Sequence, residues 1–248
     1  MIFLSSIKLN LEAEFYFQQG LRQNRAKKYE AAIACLDLAL KCQPAYTQAW
    51  SERGIALGKL GRHAEAVTNF DTALTIKPNG YWIWHNRGIA LGRLGHYEAA
   101  LDSFERAIIC NPKIPTFWHN RGNIFIECGC YKQAVASFNQ TLQLQPDSYW
   151  AWYNRGTALG QLQRYEEALN SFERAIEFKP DFFQAWYKRG IALSDLCCYD
   201  KAVNSFNKVL EICPSYKPAW YNKGVALEKL GCKFEASACF DQVKFLSN

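Results

Sequence analysis

Apolar residues in this 248-residue chain fall into two helical runs, and the pair of runs returns every 34 residues. In residues 149–182 the first run places Trp152, Tyr153, Gly156, Leu159 and Leu162 on one helical face. The second places Tyr165, Ala168, Leu169, Phe172, Ala175 and Ile176 likewise. Between them, at position 15 of the word, four other copies carry glycine: Gly61, Gly95, Gly129 and Gly231. Glycine tolerates the left-handed backbone that ends helices. Pro180 stops the second run, and Asp181 is placed to cap the next helix. The predicted unit is helix–turn–helix.

Five letters recur together. Tryptophan holds position 4 (Trp50, Trp84, Trp118, Trp152, Trp186, Trp220), and glycine holds position 8 from Gly20 to Gly224. Alanine holds position 20, phenylalanine mostly position 24, and proline position 32. A helix-interior glycine costs roughly 1 kcal/mol relative to alanine, so its return in seven units signals a close helix crossing. The expected small partner is the alanine at position 20, with the bulky residues at positions 4 and 24 filling the space around it. The units are 13–46, 47–80, 81–114, 115–148, 149–182, 183–216 and 217–248, after an N-terminal extension of residues 1–12. Unit 13–46 departs most, with Tyr16, Gln19 and Leu36 at positions 4, 7 and 24. Terminal units of stacked arrays are commonly atypical.

This combination resembles the tetratricopeptide repeat over residues 13–248. The resemblance implies an all-α fold: a right-handed α-solenoid superhelix of seven helix–turn–helix units, with the first helices lining a concave groove. The wording YNRG is similar to repeats common in bacteria. One departure is systematic: position 7, where the family usually has leucine, carries Arg53, Arg87, Arg121, Arg155, Arg189 and Lys223. These cations are expected to lay their stems on the core and pair with acids at position 25, such as Asp71, Glu105 and Glu173.

Charge and composition narrow the function classes. The net charge of +6 is spread along the chain with no lysine–arginine run, so no nucleic-acid footprint is expected. The start MIFLSSIKLNLE is interrupted by Ser5, Ser6 and Lys8, which argues against a signal peptide, and no segment is apolar for 18 residues. The expectation is a cytoplasmic protein without membrane insertion. Of ten cysteines, Cys42 and Cys110 share a position with Ile76, Leu144, Phe178 and Ile212, and Cys128 replaces a recurrent leucine. They read as core substitutes in a reducing compartment. Cys130, Cys198 and Cys232 share a turn position, with Cys197 adjoining, and no metal is expected there.

No catalytic pattern is present in the sequence. The histidines are His63, His85, His96 and His119, without HExxH or another metal-ligand spacing. GIALGKLG (54–61) has one residue too few between its glycines for a phosphate loop and lies inside a helix. The pairs Gly54 and Gly58, Gly88 and Gly92, and Gly156 and Gly160 sit in helices too polar to dimerise in a bilayer. No enzyme activity, cofactor or metal is expected.

The resemblance places positions 2, 5, 6, 9, 12 and 13 on the groove. Position 2 offers Trp82 and Trp150; position 5 offers His85, His119, Tyr153, Tyr187 and Tyr221. Position 6 is a row of Asn86, Asn120, Asn154 and Asn222, with Lys188 in the same register, and position 9 adds Asn123. Position 13 carries Lys59 and Arg93, then Glu127 and Asp195. A side-chain amide donates and accepts as a peptide bond does, so an amide ladder suits an extended backbone. The clamp by which some family members grip chaperone C-termini needs lysine at position 5, which this chain lacks, so that clamp is not expected. The expected function is a non-enzymatic scaffold binding a protein or peptide segment in the groove. The alternative is a self-associating structural oligomer, or the recognition arm of a larger enzyme or signalling protein. Self-association is expected through the last unit, whose second helix is expected to expose Phe240, Val243 and Leu246.

Overall fold

A computed structural model describes residues 2–246, with side chains for 9–246. Fourteen α-helices account for the ordered elements, and no strand occurs among the described residues. They are α1 (Ile2–Arg25), α2 (Tyr29–Cys42), α3 (Thr47–Lys59), α4 (His63–Ile76), α5 (Tyr81–Arg93), α6 (Tyr97–Cys110), α7 (Pro115–Glu127), α8 (Tyr131–Leu144), α9 (Tyr149–Gln161), α10 (Tyr165–Phe178), α11 (Phe183–Asp195), α12 (Tyr199–Ile212), α13 (Lys217–Lys229) and α14 (Lys233–Phe245). The helices succeed one another as seven helix–turn–helix units of the α-solenoid type, as the 34-residue period predicts. They form two compact units, residues 1–124 and 125–248, divided within α7. Helix α1 begins at Ile2 and continues into the first repeat.

The turn inside each pair has one backbone solution. Position 15 takes positive φ in every copy: Gly61, Gly95, Gly129 and Gly231 at 70–82°, and Lys27, Gln163 and Cys197 at 57–59°. After α3, Arg62 N–H bonds Leu57 O at 2.9 Å and Gly61 N–H bonds Gly58 O at 3.1 Å, a Schellman closure that satisfies the last carbonyls. Cys197 and Cys198 make the same two bonds to Ser194 and Leu193. A side chain in left-handed backbone costs about 1–2 kcal/mol. Cys197→Gly is therefore expected to raise stability by about 1 kcal/mol, read as a higher urea midpoint at unchanged slope. An unchanged or lower midpoint would contradict the strain assigned to this turn.

The connection between pairs explains why tryptophan and proline recur together. Each position-4 indole Nε1 donates to the carbonyl of the proline six residues earlier, as in Trp84 to Pro78 (2.7 Å) and Trp186 to Pro180 (2.8 Å). The same geometry holds for Trp50, Trp118, Trp152 and Trp220. Asp181 does not cap α11: the N-cap residue is Phe182, and no side chain bonds the free N–H groups. The indole's grip on the preceding turn sets the entry of the helix instead.

The position-8 glycines meet something other than the expected alanine. A Cβ on Gly156 would lie 2.7 Å from Phe172 Cε1, and one on Gly190 would lie 2.5 Å from Phe206 Cε1. The close approach is between a helix backbone and the position-24 ring; in unit 13–46, Leu36 fills the same place against Gly20. The position-20 alanines are buried, and Ala32 reaches Gly20 only through its backbone carbonyl, 3.5 Å from a Cβ built there.

The position-7 arginines tie three helices together. Arg53 donates to Asp37 of the preceding pair at 2.6 Å and to Asn69 Oδ1 of its own pair at 2.9 Å. Arg87 bridges Asp71 and Ser103, and Arg189 bridges Glu173 and Ser205. Arg121 pairs with Glu105. The acids are about half exposed, so their ion pairs contribute little, about 0.2–1 kcal/mol each. The serines are fully buried, and each hydroxyl donates to the carbonyl four residues earlier while accepting from the guanidinium, as Ser103 does to Ala99 at 2.7 Å. For Arg155 the outer partner is the neutral Asn139 (2.7 Å), yet its bond to Ser171 (2.5 Å) is kept.

Two expectations about surface and core are corrected. Ile76, Leu144, Phe178 and Ile212 are each about 40% exposed, because their position lies in the last turn of the second helix. Cys110 and Cys128 are exposed and Cys42 is half-buried; Cys239 alone among the described cysteines is buried, and all ten are free. In α14 and at its C-cap, Phe240, Val243 and Leu246 are half-buried, Phe240 against Gly224, while Phe234 and Phe245 are the large apolar side chains left exposed.

Candidate functional site

The first helices of the pairs carry the residues singled out for binding. In the unit of residues 1–124, Trp82 stands 48% exposed at the start of α5. It packs edge-on against Phe117 (5.0 Å between ring centroids) and against His85 (5.3 Å). His85 is only 5% exposed and lies under these rings, 5.0 Å from Phe117 and 5.8 Å from Phe104. Burial pushes its pKa down to about 4, with the Asn86 side chain opposing the shift. The ring is therefore neutral at pH 7. Its Nε2 pairs with Asn120 Nδ2 at 2.8 Å, and its Nδ1 is buried without a hydrogen-bond partner. His119, half-buried, also has its pKa lowered by burial.

In the unit of residues 125–248 the arrangement recurs with different letters. Trp150, 46% exposed, packs edge-on against Phe182 at 4.7 Å. Tyr153 meets the same ring at 5.1 Å. Tyr187 packs on Tyr216 at 5.2 Å and accepts a bond from Asn222 Nδ2 at 2.8 Å. Burial raises the pKa of both tyrosines, so both hydroxyls stay protonated at pH 7. Tyr221 is exposed; Asn154 and Lys188 are half-buried.

Two position-6 asparagines are thus bonded to the position-5 residue of the preceding pair. A side-chain amide has two donors and an acceptor, and each of these bonds uses one donor. The arrangement fixes the amide while leaving Asn86, Asn120 and Asn123 half-buried on the first helices, with Lys59 and Arg93 exposed near the helix ends. The sequence pattern did not reveal Phe117, Phe182 and Tyr216, the rings that hold Trp82, Trp150 and Tyr187. They come from positions 3 and 34, and their signal was the aromatic excess at the join between units.

Between adjacent first helices lie pockets of about 320 Å³. One, between α3 and α5, is lined by Gly54, Ile55, Gly58, Phe70, Asn86 and Ile89, with Lys59, His63 and Arg93 at its polar side. Its counterpart between α9 and α11 is lined by Gly156, Thr157, Gly160 and Ile191, with Lys188 and Asp195. The glycine pairs noted in the sequence form the walls of both pockets. A third pocket, of about 420 Å³, lies beside Trp82 and Tyr81 and includes Gln48, Glu52, Lys77 and Asn79. No group of three or more metal-ligating side chains occurs among the described residues, and no described helix is long and apolar enough to cross a membrane.

Three family models match the chain: tetratricopeptide repeat at residues 46–108, TPR repeat at 122–163, and tetratricopeptide repeat at 149–182 and 183–216. Together they span more than half of it, and the chain belongs to the tetratricopeptide-repeat proteins. No curated protein matches it by sequence. Among solved structures, it is similar to the C-terminal part of a TPR repeat-containing protein from Cytophaga hutchinsonii, with a TM-score of 0.81, 16% identity, and 93% of this chain and 95% of that one covered. It is similar to MamA from Desulfovibrio magneticus RS-1, with a TM-score of 0.65, 22% identity and 67% and 94% covered. It is also similar to YrrB, described as a TPR protein with an unusual peptide-binding site, with a TM-score of 0.64, 24% identity and 71% and 91% covered. At these identities the likeness is one of fold.

Proposed function

We propose that this chain is a non-enzymatic interaction scaffold whose first helices bind an extended protein segment. The observation that carries the reading is the pair of half-exposed tryptophans, Trp82 and Trp150, each braced edge-on by a buried ring and each beside half-buried asparagines. An indole is costly to leave in water, and a braced indole binds with little further loss of side-chain freedom. Aromatic anchors flanked by amides match what an extended peptide offers: apolar side chains on a repeating backbone of donors and acceptors. Membership of a repeat family built for protein contacts and the description of YrrB support the same reading.

Display selection against the intact chain is expected to return extended peptides with apolar anchors. Trp82→Ala and Trp150→Ala are expected to weaken the selected peptides about tenfold or more, the scale of an interface hot spot, measured below the melting temperature of each variant so that lost packing on Phe117 and Phe182 is not read as lost binding. The triple variant Asn86→Ala, Asn120→Ala, Asn154→Ala is expected to weaken peptides of unrelated sequence alike. Affinities unmoved by both sets would overturn the reading.

A further inference from the structure

The two equivalent pockets between first helices share a shape and differ in charge. In the pocket between α3 and α5, Lys59 and Arg93 stand at the polar side, and neither forms an ion pair among the described residues. Elsewhere the chain pairs its arginines readily, at Arg53, Arg62 and Arg87 on neighbouring turns. His63 lines the same pocket with its Nδ1 buried and without a hydrogen-bond partner. In the pocket between α9 and α11, Asp195 stands at the position of Arg93, and Lys188 is the one cation among the lining residues; burial raises the Asp195 pKa.

The apolar floor is open by construction. A Cβ on Gly58 would meet nothing nearer than Ala66 at 4.0 Å, whereas the space above Gly92 in the next gap is filled by Ile124, 2.7 Å from a Cβ built there. Ile55, Phe70 and Ile89 line the opening left at Gly58. A short aliphatic stem fits such a floor, and a negative group at its tip meets two cations without a protein counter-ion.

We propose that the pocket between α3 and α5 receives a carboxylate: the acidic side chain, glutamate above all, of the bound segment. Lys59 and Arg93 supply the charge, and Asn86 supplies a hydrogen bond. This rests on the peptide-binding reading and deepens it. It differs from the chaperone-tail clamp of the family, which draws its lysines from positions 5 and 2.

The test uses the isotopically labelled full chain and three short alanine-based peptides, followed by NMR at millimolar concentration. The first has a central glutamate and amidated end, the second a central glutamine and amidated end, and the third a central glutamine and free C-terminal carboxylate. The glutamate peptide is expected to shift the amides of Gly58 and Ala90 and to bind at least about tenfold more tightly than its amidated glutamine counterpart, as charge-assisted hydrogen bonds require. Lys59→Gln with Arg93→Gln is expected to erase the preference, and the amides around Asp195 are expected to stay still. Equal binding of the two amidated peptides, a preference surviving the double variant, or no shift at the pocket would each overturn the proposal. Stronger binding by the free-carboxylate peptide would assign the site to chain ends and overturn the side-chain source. If displayed peptides bind yet ignore Lys59 and Arg93, only the pocket assignment fails. If the glutamate peptide binds here while display returns nothing, only the extended-segment reading fails.

Discussion

Phe206→Ala is expected to cost about 3–5 kcal/mol, the range for deleting a fully buried aromatic ring. The ring fills the space above Gly190 and faces Tyr187 at 6.0 Å, so its loss leaves a cavity that rigid helix backbone cannot close. The glycine beneath it yields a sharper test. Gly190→Ala gains about 1 kcal/mol of helix propensity, but its methyl would lie 2.5 Å from the ring, and overpacking costs about 1–3 kcal/mol. Alone, the substitution is expected to destabilise. With Phe206→Ala already in place, the obstacle is gone, and the same substitution is expected to stabilise by about 1 kcal/mol. Urea unfolding of the four proteins of this cycle measures the reversal; additive effects would show that the ring is not what requires the glycine.

Acid is expected to weaken the unit of residues 1–124 through His85 before its carboxylates titrate. The folded pKa of about 4 lies below the ordinary value of 6.5, so the unfolded chain binds a proton that the folded chain refuses. The contribution of neutral His85 is present in full above pH 6.5 and is lost as pH falls from 6.5 towards 4. Linkage gives a loss of about 2 kcal/mol between pH 7 and pH 5 from this one group. His85→Phe keeps the aromatic packing and removes the proton site, at the cost of the acceptor for Asn120. The variant is expected to have a flatter stability profile over that range, whatever its absolute stability. A profile parallel to that of the unmodified chain would show that His85 titrates normally and is not sealed under Trp82 and Phe117.

These two experiments probe different letters of the 34-residue word. The first concerns residues that return in nearly every unit, and their roles were largely legible: glycine at position 8 announced a close crossing, and arginine at position 7 with acids at position 25 announced ion pairs. The identity of the contact was not legible. Periodicity says that a small residue faces something large, but Ala168 and Phe172 lie on the same face of α10, and only their three-dimensional placement selects the ring. The role of the serines at position 23 was hidden for a related reason. Ser103, Ser137, Ser171 and Ser205 recur with the same period, but recurrence does not say what a hydroxyl bonds, and the guanidinium reaches Ser103, Ser171 and Ser205 only where three helices meet.

The second experiment concerns letters that vary. Their place on the first helices could be read from register, but whether a side chain there is open or sealed depends on the next unit. His85 and Tyr221 share position 5, yet one is buried and the other exposed. Phe117 covers the first from outside its own unit.

The sequence alone determined the helix–turn–helix repeat, the turn at position 15 and the family, because each depends on local backbone preference and on a period written directly in residue order. Tertiary structure alone decided which ring each glycine meets, which cysteines are exposed, and which pocket keeps unpaired cations. Those properties belong to pairs of surfaces on different helices, 16 residues apart for Gly190 and Phe206 and 34 apart for Lys59 and Arg93, and no single helix contains both.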